Sequence, residues 1–358
     1  MKTRLREVLK CPIDRQELEL KVWESRELKL GEDDVQRLRE LGLDAERFTT
    51  DIMSGCLVNR RKRFLYPIIN GVPRMLAFPI PLTTDWLKKN GDKLENEFPG
   101  YGLPSGEPCP GEMDVLRTFS AEWLDYDWDG ESYWNLDPQS MFDCMKFVLN
   151  CDGKPLDNQL VLEVGIGIGG IADYVARQHA GEVVGVDLGY AVDAASKHFG
   201  SQPFLHIVQA SAFAPPFASK TFDFVYSQGV IHHTYSTKNA FDSIAQLPKL
   251  GGRLYVWVYS PHDESRTAIR RLLMLLENLI RPWCWRLPEP FQTIALLPLI
   301  PLYIAHQFLA ARWMKNVGQI KYGWREALHS ARDRFTPRYI FRHSEEEVKA
   351  WFEDASFE

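Results

Sequence analysis

The reading of this chain turns on "VLEVGIGIGG", residues 161–170. A short apolar run carries one acid, Glu163, and ends in Gly165, Gly167, Gly169 and Gly170. This is the pattern of a buried strand that turns tightly into a helix. Glycines permit such a turn and let a ligand approach backbone N–H groups without a Cβ in the way. The helix that follows presents its N-terminus to that ligand. A tight turn without any ligand would look the same, so the flanking sequence has to decide.

Strand and helix alternate around it. "QLVLEV" (159–164), "EVVGVDL" (182–188), "FLHIVQA" (204–210), "TFDFVYS" (221–227) and "GGRLYVWVYS" (251–260) read as short strands. "GIADYVARQHA" (170–180), "AVDAASKHF" (191–199) and "TKNAFDSIAQL" (237–247) read as helices, with apolar residues at helical spacing. The expected fold class is α/β, a doubly wound parallel sheet with helices on both faces and ligands at the carboxyl ends of the strands. Asp187 ends the second strand, 22 positions after Gly165. A carboxylate there can accept both hydroxyls of a ribose. These features suit a nicotinamide dinucleotide and S-adenosylmethionine about equally.

Five stretches in order separate the two: "VLEVGIGIGG", "VVGVDLG", "IVQASAFAPPF", "FDFVYSQGVIHHT" and "LGGRLYVWVY". Together they resemble the class I S-adenosylmethionine-dependent methyltransferases of bacterial small-molecule type. The resemblance covers roughly 160–260 and returns in "DRFTPRYIFRHSEEEVKAWFEDASF" (333–357). It implies S-adenosylmethionine as cofactor and assigns roles residue by residue. Glu163 and the turn of Gly165, Gly167 and Gly169 would hold the methionine end. Asp187 would bind the ribose, Leu188 would pack near the adenine, and Ser211 and Ala212 would meet its edge. Ser227, Gln228 and Gly229 would line the sulfonium side. The chain departs from the family at Ser211, where an acid is usual, and in "LPKLGG" (247–252), where Pro248 is displaced. The family's sixth and seventh strands are also missing, since the sequence ends at Glu358. A shortened chain, or an oligomer or partner that completes the sheet, is therefore expected.

Methyl transfer to oxygen or nitrogen needs a positioned nucleophile and, in many cases, a base. His232 and His233 follow the fourth strand, and histidine titrates near neutrality. Each is a candidate base, and each has a structural role as the competing reading. Trp123, Tyr126, Trp128, Tyr133 and Trp134 either close over the cofactor or belong to ordinary core. Tyr226 and Tyr259 read as core or pocket wall.

The remaining chain divides into a small module (1–78), a linker (79–113), the catalytic domain (114–260), a helical apolar lid (261–332) and a C-terminal part of the catalytic domain (333–358). The module contains "CPID" (11–14) and "CLVN" (56–59) and ends in "YPIINGVPRML" (66–76). It resembles a degenerate zinc-ribbon-like domain related to an activator subunit of tRNA and protein methyltransferases. With Asp14 and Asn59 where a ribbon has cysteines, no metal is expected; Cys11, Cys56 and Asp14 would be the ligands if zinc were bound. "PFQTIALLPLIPLYIAHQFLAA" (290–311) lacks Asp, Glu, Lys and Arg, but three prolines interrupt it. A pocket-covering helical pair is the first reading; a peripheral membrane surface or lipophilic substrate contact is the second.

The 358-residue composition is 45% hydrophobic and 25% charged, with net charge −6. That balance shows no bulk basic face, so nucleic acid is not favoured as a partner. Six scattered cysteines and a charged N-terminus without an apolar signal segment point to a cytoplasmic protein with reduced thiols. The leading expectation is an enzyme that methylates oxygen or nitrogen of a small, apolar or aromatic acceptor. An RNA or protein methyltransferase, and a non-catalytic methyltransferase-like partner protein, are the alternatives.

Overall fold

The computed structural model describes residues 1–124, 138–148, 156–179, 181–261, 268–305 and 323–357. Its centre is a parallel sheet of five strands in the order β7-β6-β5-β8-β9. In chain order these are β5 (Leu160–Val164), β6 (Glu182–Asp187), β7 (Leu205–Gln209), β8 (Phe222–Gln228) and β9 (Pro248–Trp257). The four strands β5 to β8 are buried along nearly their whole length, as a sheet covered on both faces requires. Strand β9 is the exception, with exposed residues in its first half. Among the described residues no sixth or seventh strand follows, and the order reverses at β5, where a cleft opens for a ligand.

The first 76 residues build a second, antiparallel sheet, β1 (Glu19–Glu27), β2 (Thr50–Asn59), β3 (Phe64–Ile69) and β4 (Val72–Pro73), ordered β1-β2-β3-β4. Short helices α1 (Leu5–Val8), α2 (Glu32–Glu40) and α3 (Glu46–Thr49) fill its connections. Cys56 and Leu57 are neighbours on β2 and therefore point to opposite faces. Leu57 joins Leu5, Cys11 and Tyr66 in the core shared with the parallel sheet, whereas Cys56 packs with Trp86 and Leu94 on the other side. The set Cys11, Cys56 and Asp14 is thus not assembled. Cys11 Sγ lies 3.1 Å from Tyr66 Oη, and Asp14 accepts from Asn59 Nδ2 at 2.9 Å.

The module is welded to the β7 edge. Arg74 bridges Gln209 in parallel register, and Met75 N donates to Gln209 O at 2.8 Å. Leu9 bridges Phe217. The stretch 79–113, expected as a linker, contains helices α4 (Pro81–Lys89) and α5 (Gly91–Glu97), whose Trp86 and Leu94 pack against β2 and β3. Proline at the first turn of α4 suits a helix start, since its missing N–H has no partner there anyway.

Helices α6 (Glu112–Leu124), α7 (Pro138–Val148), α8 (Gly170–Gln178), α9 (Ala191–Phe199) and α10 (Thr237–Ala245) pack around the parallel sheet. Helices α11 (Ala268–Cys284), α12 (Glu289–Leu296) and α13 (Trp324–Phe335) form a separate apolar cluster through Cys284, Leu296, Leu299 and Phe335. Helix α14 (Glu345–Asp354) packs Trp351 on Phe241 of α10. Among the described residues no helix is long and apolar enough to cross a membrane.

Candidate active site

A cavity of about 720 Å³ opens at the carboxyl ends of β5, β6 and β8. Its floor is the glycine turn. Gly165, Gly167 and Gly169 have φ of 88°, 52° and 90°, the left-handed region that favours glycine. A Cβ on Gly165 would lie 2.1 Å from Val230 Cγ2, so the turn and the loop after β8 approach too closely for any side chain.

Asp187 is fixed by that turn. Gly167 N donates to Oδ2 at 3.0 Å and Gly189 N to Oδ1 at 2.8 Å. Each oxygen keeps a lone pair, enough to accept from a vicinal diol. Burial raises the Asp187 carboxyl against the pull of these backbone hydrogen bonds. Glu163 is 3% exposed and accepts from Tyr226 Oη at 2.8 Å. Burial pushes its pKa up to about 8, so at neutral pH the empty carboxyl is mostly protonated. A neighbouring ammonium would reverse that preference.

Nine of the thirteen sequence-predicted residues line the cavity. Glu163, Gly165, Gly167, Asp187 and Leu188 form one side. Ala212, Gln228, Gly229 and His233 reach it from β7 and β8. Four do not line it. Gly169 caps α8, and a Cβ there would meet Ala195 and Phe199. Ser227 is fully buried and donates to Val164 O at 3.1 Å, holding two strands together. Ser211 donates to Glu112 Oε1 instead of facing the cavity. His232 is also fully buried; its ring sits 4.1 Å from that of Tyr259, and neither nitrogen has a hydrogen-bond partner. Burial lowers its pKa well below the usual histidine range. Its position supports packing, not proton transfer.

His233 closes the far end. Its Nδ1 lies 3.1 Å from Tyr339 O. A carbonyl only accepts, so Nδ1 carries the proton and Nε2 keeps its lone pair. Nε2 stands 3.6 Å from Asp333 Oδ1, and Asp333 Oδ2 accepts from Tyr259 Oη at 2.6 Å. Burial lowers the His233 pKa; Asp333 and the Tyr339 carbonyl oppose the shift, and Arg334 and Arg281 add to it. The ring is therefore neutral at pH 7 and able to take a proton, with a carboxylate beside it. Phe119 packs at 5.0 Å, and Trp123 lines the same wall. Tyr126, Trp128, Tyr133 and Trp134 lie outside the described residues.

Sequence reading missed the groups that come from far along the chain. Glu112, at the start of α6, accepts from Ser211 and from Cys109 N at 2.6 Å and lines the cavity. A carboxylate is thus present beside position 211 although residue 211 is not acidic. Asp333 and Arg334 arrive on α13, and Met274 and Glu277 on α11. Asp333 lay inside a quoted stretch, but nothing local marks it as a partner for a histidine 100 positions earlier.

The cavity fits a ligand that carries a diol, a base and an ammonium. Asp187 suits the diol and Glu163 the ammonium. Gln228 Oε1, buried without a hydrogen-bond partner, awaits a donor. Residues 162–256 match the family described as a methyltransferase domain, and residues 2–71 match that described as Trm112p-like protein. The chain is 29% identical over 136 residues to phosphoethanolamine N-methyltransferase 2 of Caenorhabditis elegans, covering 36% of this chain and 31% of that one. It is 34% identical over 141 residues to phosphoethanolamine N-methyltransferase of Triticum aestivum, covering 37% and 28%. The match thus spans under a third of the length of these curated relatives. Among solved structures, the CcbJ methyltransferase from Streptomyces caelestis superposes with a TM-score of 0.34 at 16% identity, over 44% of this chain and 61% of that one. Beyond a segment that matches Trm112p-like protein, residues 162–256 carry a methyltransferase domain of the class I, S-adenosylmethionine-dependent type.

Proposed function

We propose that this chain transfers a methyl group from S-adenosylmethionine to an oxygen or nitrogen of a small acceptor with an apolar or aromatic body. The cofactor supplies a sulfonium-activated methyl open to in-line displacement. Asp187, Glu163 and the glycine turn hold it at one end of the cavity. At the other end His233 Nε2 accepts the proton that the nucleophile loses, and Asp333 stabilises the resulting imidazolium. Phe119, Trp123 and Met274 exclude water from that end. The observation that carries this reading is the neutral, carboxylate-backed His233 in the same cavity as Asp187 and the glycines. The relatives named for N-methylation of phosphoethanolamine support nitrogen as the acceptor atom.

Calorimetric titration with S-adenosylhomocysteine, with a nicotinamide dinucleotide as control, tests the cofactor half. Micromolar binding of the first and none of the second is expected; no binding of either sinks the catalytic reading. For the proton half, His233→Ala is expected to lower turnover by about 10²–10⁴-fold while leaving S-adenosylhomocysteine affinity within about twofold. With the His233 pKa below its ordinary 6.5, wild-type activity at saturating cofactor should be flat above neutrality and fall on the acid side. An unchanged rate in the variant removes His233 from the mechanism.

Glu163 gives a separate readout. Its carboxyl titrates at about 8 when the site is empty, and an ammonium placed beside it lowers that value. Binding of S-adenosylhomocysteine at pH 7 should therefore release close to one proton, and affinity should rise as pH rises towards 8. Titration in buffers of different ionisation enthalpy measures the release. A Glu163→Gln variant that releases as much as wild type would exclude Glu163 as the source.

The Trm112p-like match favours a second reading, a macromolecular acceptor such as RNA or protein. Tight RNA binding that weakens steeply with salt would support it.

A further inference from the structure

Among the described residues fifteen large apolar side chains stand exposed, and eight of them fall within 268–305, about a tenth of the chain. Scattered exposed hydrophobics are ordinary, but such a concentration marks a surface that meets something. On α11, Leu272, Leu275, Leu279 and Trp283 are 57%, 64%, 69% and 74% exposed. Their spacing puts them on one helix face. Phe291 and Ile294 extend the patch onto α12. The opposite side of α11 is used inward: Met274 and Glu277 line the cavity, and Cys284 is buried with Leu296. The inner side mixes these apolar residues with the buried Glu277–Arg281 pair, whereas the outer side is apolar and exposed.

The polar groups around the patch indicate what covers it. Arg271 and Arg286 are exposed at its two ends. The carboxylate of Glu277 is turned inward, bound to Arg281 at 2.8 Å and to Arg342 at 2.9 Å. In sequence, 268–305 carries four arginines, at 270, 271, 281 and 286, against two carboxylates, at 277 and 289. Trp283, at 74% exposure, brings an aromatic ring with a polar N–H to the patch itself. Leucines flanked by arginines and a tryptophan make the composition of a helix that lies in a membrane interface. The whole chain has net charge −6, so an anionic bilayer repels it overall and attracts it here.

We propose that the face formed by Leu272, Leu275, Leu279, Trp283, Phe291 and Ile294 docks on an anionic lipid bilayer, in the interface plane and without crossing it. The inference does not depend on the reaction assigned to the cavity. Docking would bring the inner side of the same helices, and with it the acceptor end of the cavity, close to the headgroups.

Flotation of the full chain with vesicles tests this, using phosphatidylcholine alone and phosphatidylcholine mixed with phosphatidylserine. Wild type should float with the mixed vesicles, less with phosphatidylcholine alone, and less again in high salt, because screening weakens the arginine attraction. Leu275→Glu/Leu279→Glu should reduce bound protein at least about tenfold. An unchanged S-adenosylhomocysteine affinity in that variant shows that its fold and cofactor site are intact. Leu272→Ser/Trp283→Ser is a second disruption and should also weaken flotation. Wild type that stays unbound with both vesicles overturns the proposal, as does flotation undiminished in both variants. If wild type sediments as a dimer, the variants as monomers and nothing floats, the face belongs to a second copy of this chain and the proposal fails.

Discussion

The two additions to the parallel sheet each break the usual division between inside and outside at one surface. The N-terminal module is rich in charge and keeps most of it in water, but it buries two cations where it meets the sheet. Lys2 is 4% exposed, with Nζ 2.7 Å from Leu205 O and 3.1 Å from Gly200 O. Arg74 is 1% exposed and reaches Asp193 at 2.5 Å and Gln209 at 3.2 Å. The helices of 268–305 are rich in leucine and turn much of it outward. Composition alone would have placed the module in water and the helices in the core. What decides is the partner available. The β7 edge offers carbonyls and carboxylates in fixed positions, whereas the outer face of α11 has no polypeptide against it among the described residues.

The most damaging way to break this comparison is to remove the guanidinium from the seam. Arg74→Met leaves Asp193 and the buried Gln209 side chain without their donor. Removing one partner of a buried pair typically costs 3–5 kcal/mol. Asp193 is 32% exposed and regains some water, so a loss of about 3 kcal/mol in urea unfolding is expected. A loss below about 1 kcal/mol would mean that the seam is held by its apolar contacts alone.

A second charge in the same seam carries a pH signature. Burial would raise the Glu182 carboxyl, but hydrogen bonds from the His206 ring at 3.1 Å and from Arg4 at 2.8 Å hold it down at about 2. A depressed carboxylate stabilises the fold above its unfolded pKa near 4.5, and that stability is lost as pH falls from 4.5 towards 2. Glu182→Gln should cost about 2 kcal/mol at pH 7 and flatten the acid limb of the stability profile in that window. If the two profiles run parallel there, Glu182 is not the group responsible.

The sequence made the parallel sheet legible because its strands are short, apolar and separated by glycine turns. The predicted run at 182–188 and the observed Glu182–Asp187 differ by one residue. Asp187 was legible for the same reason: a strand end brings it to the glycine turn, where Gly167 N and Gly189 N donate to it. The helices of 81–97 were hidden by the glycines and prolines of 99–113, which spread the appearance of a linker over the whole segment. Glu112 and Asp333 escaped notice because their partners, Ser211 and His233, lie about 100 positions away. Only the fold brings such pairs together. Cys56 is a different case. Its alternation with Leu57 already placed it on the other face from a residue of the shared core, a period-2 argument that the zinc-ribbon likeness obscured.

The smallest expected effect sharpens the comparison most. Leu162 on β5 and Leu279 on α11 are the same residue type, fully buried in one place and 69% exposed in the other. Leu162→Ala should cost about 2–5 kcal/mol, the lost transfer energy plus the cavity left behind. Leu279→Ala removes atoms that already touch water, and alanine is the better helix former. Its effect on the unfolding free energy of the lipid-free chain should stay within about 0.5 kcal/mol. If Leu279→Ala instead costs more than about 1.5 kcal/mol, the side chain is buried in solution and the outward apolar face does not exist there. If the cost is small without vesicles but the variant loses part of the stabilisation that anionic vesicles confer on wild type, the face is kept for an external surface. The same two measurements on Arg74→Met should show a large loss without vesicles and no further dependence on them, because that seam is completed within the chain.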